Sequence, residues 1–149
     1  MVAETWAAFY PASPTEPHPI FPGGGINQLT MFADYRVPQI LHHLQILHYP
    51  QSLIDTLESG RLLMHGSPEE ISIRVASILA VERLRDEILE IQKTRHDKRE
   101  VAGGGEVSSV LIDFYLWDLA KRIEDEEEVI EGIQVNRIVP PHRTRSIWY

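Results

Sequence analysis

Apolar positions along this chain recur mostly three and four residues apart, which is the signature of helices with one face turned inward. Val37, Ile40, Leu41, Leu44 and Leu47 follow that spacing around Pro38, a residue suited to a first helical turn. Pro50 opens a shorter helix through Leu53, Ile54 and Leu57, with Gly60 placed for its exit. Ser67-Pro68-Glu69-Glu70 is the strongest local signal, because serine at a cap, proline after it and glutamate three positions on form a capping box. The helix it starts is predicted to run to about Lys93, with Ile71, Val75, Ile78, Val81, Leu84, Ile88 and Ile91 as its apolar face. A last long helix is predicted from about Val107 to Glu131, with an apolar centre and an acidic end, and Pro140-Pro141 stops any continuation.

Between these helices the pattern breaks. Residues 11–25 hold Pro11, Pro14, Pro17, Pro19, Pro22 and Gly23-Gly24-Gly25, a density that forbids regular structure and predicts a long loop. The triple glycine has no Lys-Ser/Thr after it, so it is no phosphate-binding P-loop. Residues 96–106 are polar and then glycine-rich, a flexible connection. Val2–Phe9 has helix-forming residues without a preceding cap and reads as the end of a helix begun upstream. No stretch alternates apolar with polar. The expected fold is therefore mainly α: one compact helical domain over residues 1–149 with a Pro/Gly-rich loop near its start.

Two carboxylates interrupt the apolar pattern. Asp113 sits inside Val110-Leu111-Ile112-Asp113-Phe114-Tyr115-Leu116-Trp117, and Asp34 lies between Leu29-Thr30-Met31-Phe32-Ala33 and Tyr35-Arg36-Val37-Pro38. A charge placed where the chain buries grease is costly unless paired or hydrogen-bonded, and acids under that pressure are frequent in active sites. The dull alternatives are structural: Asp113 as a buried acid paired with an arginine or capping a helix, Asp34 as a cap or turn residue. Arg74 lies on the Ile71–Val75–Ile78 side of its helix and is expected to enter the interior, where a buried aspartate would be its partner.

Composition narrows the choices. Of 149 residues 43% are hydrophobic and 24% charged, a globular balance, and the net charge of −8 argues against long nucleic acid, which needs a basic face. Cysteine is absent, which removes disulfides and thiolate zinc sites. His42, His43 and His48 show no His-Glu-x-x-His pattern, so no metal is expected. No apolar run approaches the roughly 20 residues of a membrane span, and the default expectation is a cytoplasmic protein.

At these residues the chain resembles a known family. Asp34, Tyr35, Arg36 and Gln39 match the aspartate-tyrosine-arginine-x-x-glutamine element of the queuosine salvage proteins, the queuosine 5'-phosphate N-glycosylase/hydrolase family. Gly66-Ser67-Pro68-Glu69-Glu70 with Ile73-Arg74, then Ile112–Trp117, then Pro141-His142-Arg143-Thr144-Arg145-Ser146-Ile147-Trp148-Tyr149 follow in the family's order. Ser72 departs from the pattern, standing where many relatives carry an acid. Family members are much longer, so the resemblance implies the C-terminal part of a larger helical enzyme. It also implies hydrolysis of the N-glycosidic bond of queuosine 5'-phosphate to release queuine, a small nucleotide substrate, and no cofactor beyond water.

On that footing Asp34 and Asp113 are the expected catalytic acids, Asp34 beside sugar and base and Asp113 with Trp117 on the base, the reverse division remaining open. Tyr35, Arg36, Gln39 and Arg74 are the expected substrate contacts alongside Trp117. The competing expectation is a non-catalytic helical interaction module whose two aspartates only pair with buried arginines. A DNA-base glycosylase is disfavoured by the acidic charge. Oligomeric state is not legible.

Overall fold

The computed structural model describes residues 18–20, 28–96, 107–125 and 132–145, the side chains of 95 and 96 excepted. Four helices carry the described fold: α1 Arg36–His43, α2 Gln51–Glu58, α3 Pro68–His96 and α4 Ser109–Glu124. Among the described residues no strand forms, and the one sheet-like feature is an isolated parallel bridge between Leu63 and Thr144. The expected helix end at Val2–Phe9, most of the 11–25 loop and of the 96–106 connection, the acidic end from Glu126 to Glu131, and Trp148 and Tyr149 lie outside the described residues.

Each helix start has a local cause. Asp34 accepts hydrogen bonds from the Arg36 and Val37 N–H groups at 2.9 and 3.0 Å, meeting two of the donors that a helix N-terminus leaves unpaired. The Ser67 hydroxyl accepts from the Glu70 N–H at 3.3 Å, the first half of a capping box. The second half is shifted by one residue: Glu70 Oε2 accepts from the N–H of Gly66 at 2.9 Å, and Gly66 has a φ of 76°, a left-handed angle that suits glycine. Ser108 caps α4 through the N–H of Leu111 at 3.3 Å.

Helix ends depart from expectation at α1. The helix stops at His43, before Leu44 and Leu47, because Gln45 turns left-handed at a φ of 61° and Ile46 N–H closes back on the Leu41 carbonyl at 2.9 Å. Leu44 and Leu47 still pack on the core, but from the turn that follows. Gly60, with a φ of 70°, leaves α2 as predicted.

Helices α1, α3 and α4 bury a common core of Met31, Val37, Ile40, Leu41, Ala80, Val81, Ile112, Leu116, Leu119 and Ala120. A smaller cluster, Leu53, Leu57, Leu63, Ile73 and Val139, seats α2 against α3 and the 132–145 segment. That segment runs back over α1 as a strap. Asn136 caps the C-terminal end of α1, its N–H on the His43 carbonyl at 2.7 Å and its side chain on the His42 carbonyl at 2.9 Å.

The inward face of α3 matches the predicted one only in its middle, where Val81 is buried and Ile78, Leu84 and Ile88 pack on the core, whereas the first turns are rotated. Ile71, Val75 and Leu79 are about half exposed, at 49%, 48% and 56%, whereas Glu70, Ile73, Ser77, Ala80 and Val81 are buried. Apolar residues stand on nearly every side of this helix, so periodicity could not choose; the turn at Gly66 and the inward ion pair of Glu70 fixed the rotation.

Candidate active site

Asp34 and Asp113 are brought together from opposite parts of the chain. Asp34 ends the extended segment before α1, Asp113 lies one turn into α4, and each is 9% exposed. Asp113 Oδ2 accepts the Phe32 N–H at 3.0 Å, a contact between residues 81 positions apart in the chain. The Trp117 side chain, one turn along α4 from Asp113, hydrogen-bonds Asp34. The two acids thus share one short loop and one helix face.

Among the described residues neither acid forms an ion pair. Burial pushes the Asp34 pKa up, outweighing the lowering effects of its Val37 and Arg36 N–H bonds, the Arg36 charge and the Trp117 bond. Asp113 is pushed up to about 6, chiefly by burial, against the Phe32 N–H bond that lowers it and with the Asp34 charge raising it further. This is the pattern of two carboxylates held near each other without a neutralising cation. The expectation that both simply pair with buried arginines is therefore not favoured, because among the described residues backbone and indole N–H groups hold them.

The other named residues divide. Phe32 is 63% exposed, and its backbone N–H is held by Asp113. Tyr35 is half-buried with the Arg36 guanidinium 5.6 Å from its ring centre. Arg36 binds Glu124 at 2.5 Å and the Gln39 side-chain oxygen at 3.3 Å. Gln39 is buried, and its amide nitrogen donates to the Val139 carbonyl at 2.9 Å, tying α1 to the strap. One face of Trp117 is covered by Lys121, whose Nζ lies 4.0 Å from a ring centre. Arg74 turns away from the aspartates: its Nε donates to Glu70 at 2.6 Å and its Nη1 to the Ala33 carbonyl at 2.7 Å. The predicted aspartate partner of Arg74 is thus a glutamate one turn earlier on its own helix. The Ala33 bond nevertheless steadies the backbone just before Asp34.

Sequence reasoning missed two participants in this neighbourhood. Glu70 was read as a cap alone, yet it is 2% exposed and binds Gly66 and Arg74, which together hold its pKa down against the upward push of burial. His142 was visible only within a motif; it is 2% exposed, and burial with the Arg74 charge lowers its pKa to about 4, against the raising effect of Glu70. A glutamate and an arginine one turn apart were the available signal, but burial was not legible.

Of the hollows on the described surface, three are lined by neither Asp34 nor Asp113. One of these, about 860 Å³, lies between α2 and the start of α3 among Tyr49, Leu53, Leu63, Met64 and Ile73. It is mostly apolar, whereas the two carboxylates raised by burial lie elsewhere, so the chemistry points to them instead. Two smaller ones, about 380 and 370 Å³, flank the strap near Tyr49 and Arg137 and near Tyr35 and Arg36 respectively. Among the described residues no group of three or more His, Cys, Asp or Glu is placed to hold a metal, and no helix is long and apolar enough to cross a membrane.

The sequence has counterparts among known proteins. The profile of the family described as "Queuosine salvage protein" matches residues 1–149. The chain belongs to the queuosine salvage protein family. A Bos taurus relative named queuosine 5'-phosphate N-glycosylase/hydrolase is 40% identical over 124 residues, covering 83% of this chain and 33% of its own length. A relative of that name from Nematostella vectensis is 38% identical over 154 residues, 100% of this chain and 39% of its own. The same name is carried by a Schizosaccharomyces pombe relative, 38% identical over 150 residues, 100% of this chain and 37% of its own. The chain thus spans about a third of the length of these queuosine salvage relatives.

Proposed function

We propose that this chain supplies the catalytic carboxylates for hydrolysis of the N-glycosidic bond of queuosine 5'-phosphate, releasing queuine. The observation that carries the reading is the juxtaposition of Asp34 and Asp113, neither of which is ion-paired among the described residues, in a chain whose curated relatives are named for this hydrolysis. Breaking the bond between the anomeric carbon and the base leaves positive charge on the ribosyl ring, which a nearby carboxylate stabilises. Asp34, fixed by two N–H groups, takes that place and orients the water that attacks the anomeric carbon. Asp113, half-protonated near pH 6, faces the base and either accepts its N–H groups or returns a proton to it as it leaves. Phe32 offers the flat ring an aromatic surface, and Tyr35, Arg36 and Trp117 stand nearest the two acids. Gln39 and Arg74 act behind them, through the strap and the Ala33 carbonyl. Water is the only co-reactant, and a cytoplasmic setting with a small nucleotide substrate belongs to the same proposal.

Because the relatives are longer, the test is made in two settings: this chain alone, and a chimera in which it replaces the matching segment of the Bos taurus relative. Each is incubated with queuosine 5'-phosphate and free queuine is measured by mass spectrometry. The chimera is expected to release queuine, and Asp34→Ala and Asp113→Ala in it to slow turnover by roughly a hundredfold or more each. A folded chimera that releases nothing, or undiminished turnover in both variants, overturns the reading.

A further inference from the structure

Glu82, in the middle of α3, has no part in the chemistry above, yet one of its oxygens joins both pieces of chain that carry the acids. Its Oε1 accepts the Thr30 hydroxyl at 2.8 Å and the Ser109 hydroxyl at 2.7 Å. Thr30 lies two residues before Phe32, and Ser109 lies one turn before Asp113 on α4. The other oxygen, Oε2, binds Arg85 Nη1 at 2.7 Å, and that nitrogen reaches the Ser109 hydroxyl at 3.4 Å. Ser109 is fully buried, and the Glu82 and Arg85 side chains are partly so.

A surface pair of Glu82 with Arg85 would need neither hydroxyl. Ser109 opens α4 and has no helical carbonyl one turn earlier to take its proton, so its burial calls for an acceptor from another element. Glu82 is that acceptor, and the same oxygen, by binding Thr30, fixes the segment 30–34 against the start of α4. The spacings agree. From Thr30 to Phe32 the chain reaches at most about 7 Å, and from Ser109 to Asp113 the helix rises about 6 Å. The Thr30–Glu82–Ser109 link and the bond from the Phe32 N–H to Asp113 at 3.0 Å are therefore two rungs between the same two elements. Arg74, about two turns earlier on α3, holds the Ala33 carbonyl at 2.7 Å, so one helix grips the segment on both sides of Phe32.

We propose that Glu82 is a positioning residue: through Thr30 and Ser109 it sets the separation of Asp34 and Asp113, and with it the alignment of the acid that directs water with the acid that faces the base. It touches no substrate. The link between segment and helix stands on the geometry alone, and its effect on turnover rests on the glycosidase reading.

Hydrogen exchange of the Phe32 amide, read by NMR on this chain, reports whether the segment stays on α4, while the Leu119 amide inside α4 reports global unfolding. Glu82→Ala should speed exchange at Phe32 roughly tenfold and change Leu119 by less than about twofold. Thr30→Val, at an exposed position where the core is untouched, should act in the same direction by roughly threefold. Glu82→Gln keeps an oxygen for both hydroxyls and should retain the protection. In the chimera, Glu82→Ala should lower kcat roughly tenfold with KM changed by less than about twofold, because misplaced reacting groups slow the chemical step; Glu82→Gln should keep most of the rate. Equal acceleration at Phe32 and Leu119 in Glu82→Ala, or an unmoved Phe32 in Thr30→Val, overturns the link. The expected exchange pattern beside a chimera that releases no queuine keeps the link and removes the glycosidase reading. Queuine release with kcat untouched by Glu82→Ala keeps that reading and removes the positioning role.

Discussion

Two regions bury acids in this molecule, and they treat charge in opposite ways. Glu70 accepts an N–H from Gly66, binds Arg74 and lies beside His142, and the outcome is a carboxyl held below its usual range despite burial. Among the described residues Asp34 and Asp113 are held by neutral N–H donors, with the Arg36 charge acting on Asp34 from nearby, and they lie near each other with both carboxyls pushed up by burial. The first arrangement is compensated and serves the architecture. The second leaves charge unsatisfied where a substrate could satisfy it, which is how functional sites differ from structural ion pairs. The same contrast sets opposite pH responses. Glu70 contributes stability that is full above its unfolded pKa and is lost as pH falls; His142, lowered to about 4, contributes above its unfolded value of 6.5 and loses that on acidification. Asp113, raised from 3.8 to about 6, contributes stability that is full below 3.8 and is lost as pH rises through 6.

The largest effect is expected on the compensated side. Glu70→Ala removes the acceptor of both Gly66 and Arg74 and leaves a guanidinium, 24% exposed, without that partner. Breaking a buried pair from one side costs about 3–5 kcal/mol, so chemical denaturation at pH 7 should show a loss in the lower part of that range, since Arg74 keeps the Ala33 carbonyl. A loss below about 1 kcal/mol would mean that the cluster is no more compensated than a surface pair.

The carboxylate side should respond with the reverse sign. Asp113→Asn keeps an oxygen for the Phe32 N–H but removes a charge that burial disfavours. Raising a carboxyl from 3.8 to about 6 corresponds to about 3 kcal/mol once it is ionised, so at pH 8 the variant should be more stable by up to that amount. At pH 4, where the aspartate is itself mostly neutral in the folded protein, the gain should vanish. Turnover in the chimera should fall at the same time, the trade expected where a site keeps strain for function. An equal gain at both pH values would sever the link between the charge and the instability.

How far the sequence revealed this contrast depends on the range of the forces involved. Local chemistry was legible: the box at Ser67 and Glu70, the exit at Gly60, and the cost of placing Asp34 and Asp113 among apolar residues. The meeting of the two aspartates was not, because it joins segments 81 positions apart through a Phe32 N–H, and no periodicity encodes such a contact. The turn at Gln45 was hidden because a left-handed residue other than glycine carries no compositional mark. The rotation of the first turns of α3 was hidden because Ile71 and Val75 compete with Ile73 and Ala80 for the interior, and an ion pair rather than grease decided between them, while Val81, Leu84 and Ile88 pack inward as their spacing predicts. The strap contacts of Gln39 and the burial of His142 needed the fold for the same reason.

Gln39 sharpens the boundary between the two regions, since it belongs to the family's motif beside Asp34 yet bonds the strap. Gln39→Leu removes the bond to the Val139 carbonyl inside the protein and should cost about 1–2 kcal/mol. If its role is to hold the strap, turnover in the chimera should fall by less than tenfold, with KM taking most of the change through the displaced Arg36. A collapse of kcat without loss of stability would instead put Gln39 at the substrate.

The smallest effect tests whether geometry alone could have drawn the comparison. Lys93 and Glu90 meet at 2.6 Å, the same separation as Arg74 and Glu70, and on the same helix. Their side chains are 70% and 64% exposed, against 24% and 2% for the inner pair. Water and salt screen the outer pair, and holding two long side chains in one geometry offsets much of its attraction, so it should contribute at most about 0.5 kcal/mol. Lys93→Ala should therefore leave the denaturation midpoint nearly unchanged and insensitive to salt, where Glu70→Ala shifts it strongly. If the two substitutions proved equally costly, distance rather than burial would govern ion pairs in this fold, and the distinction drawn between its compensated and uncompensated acids would lose its physical basis.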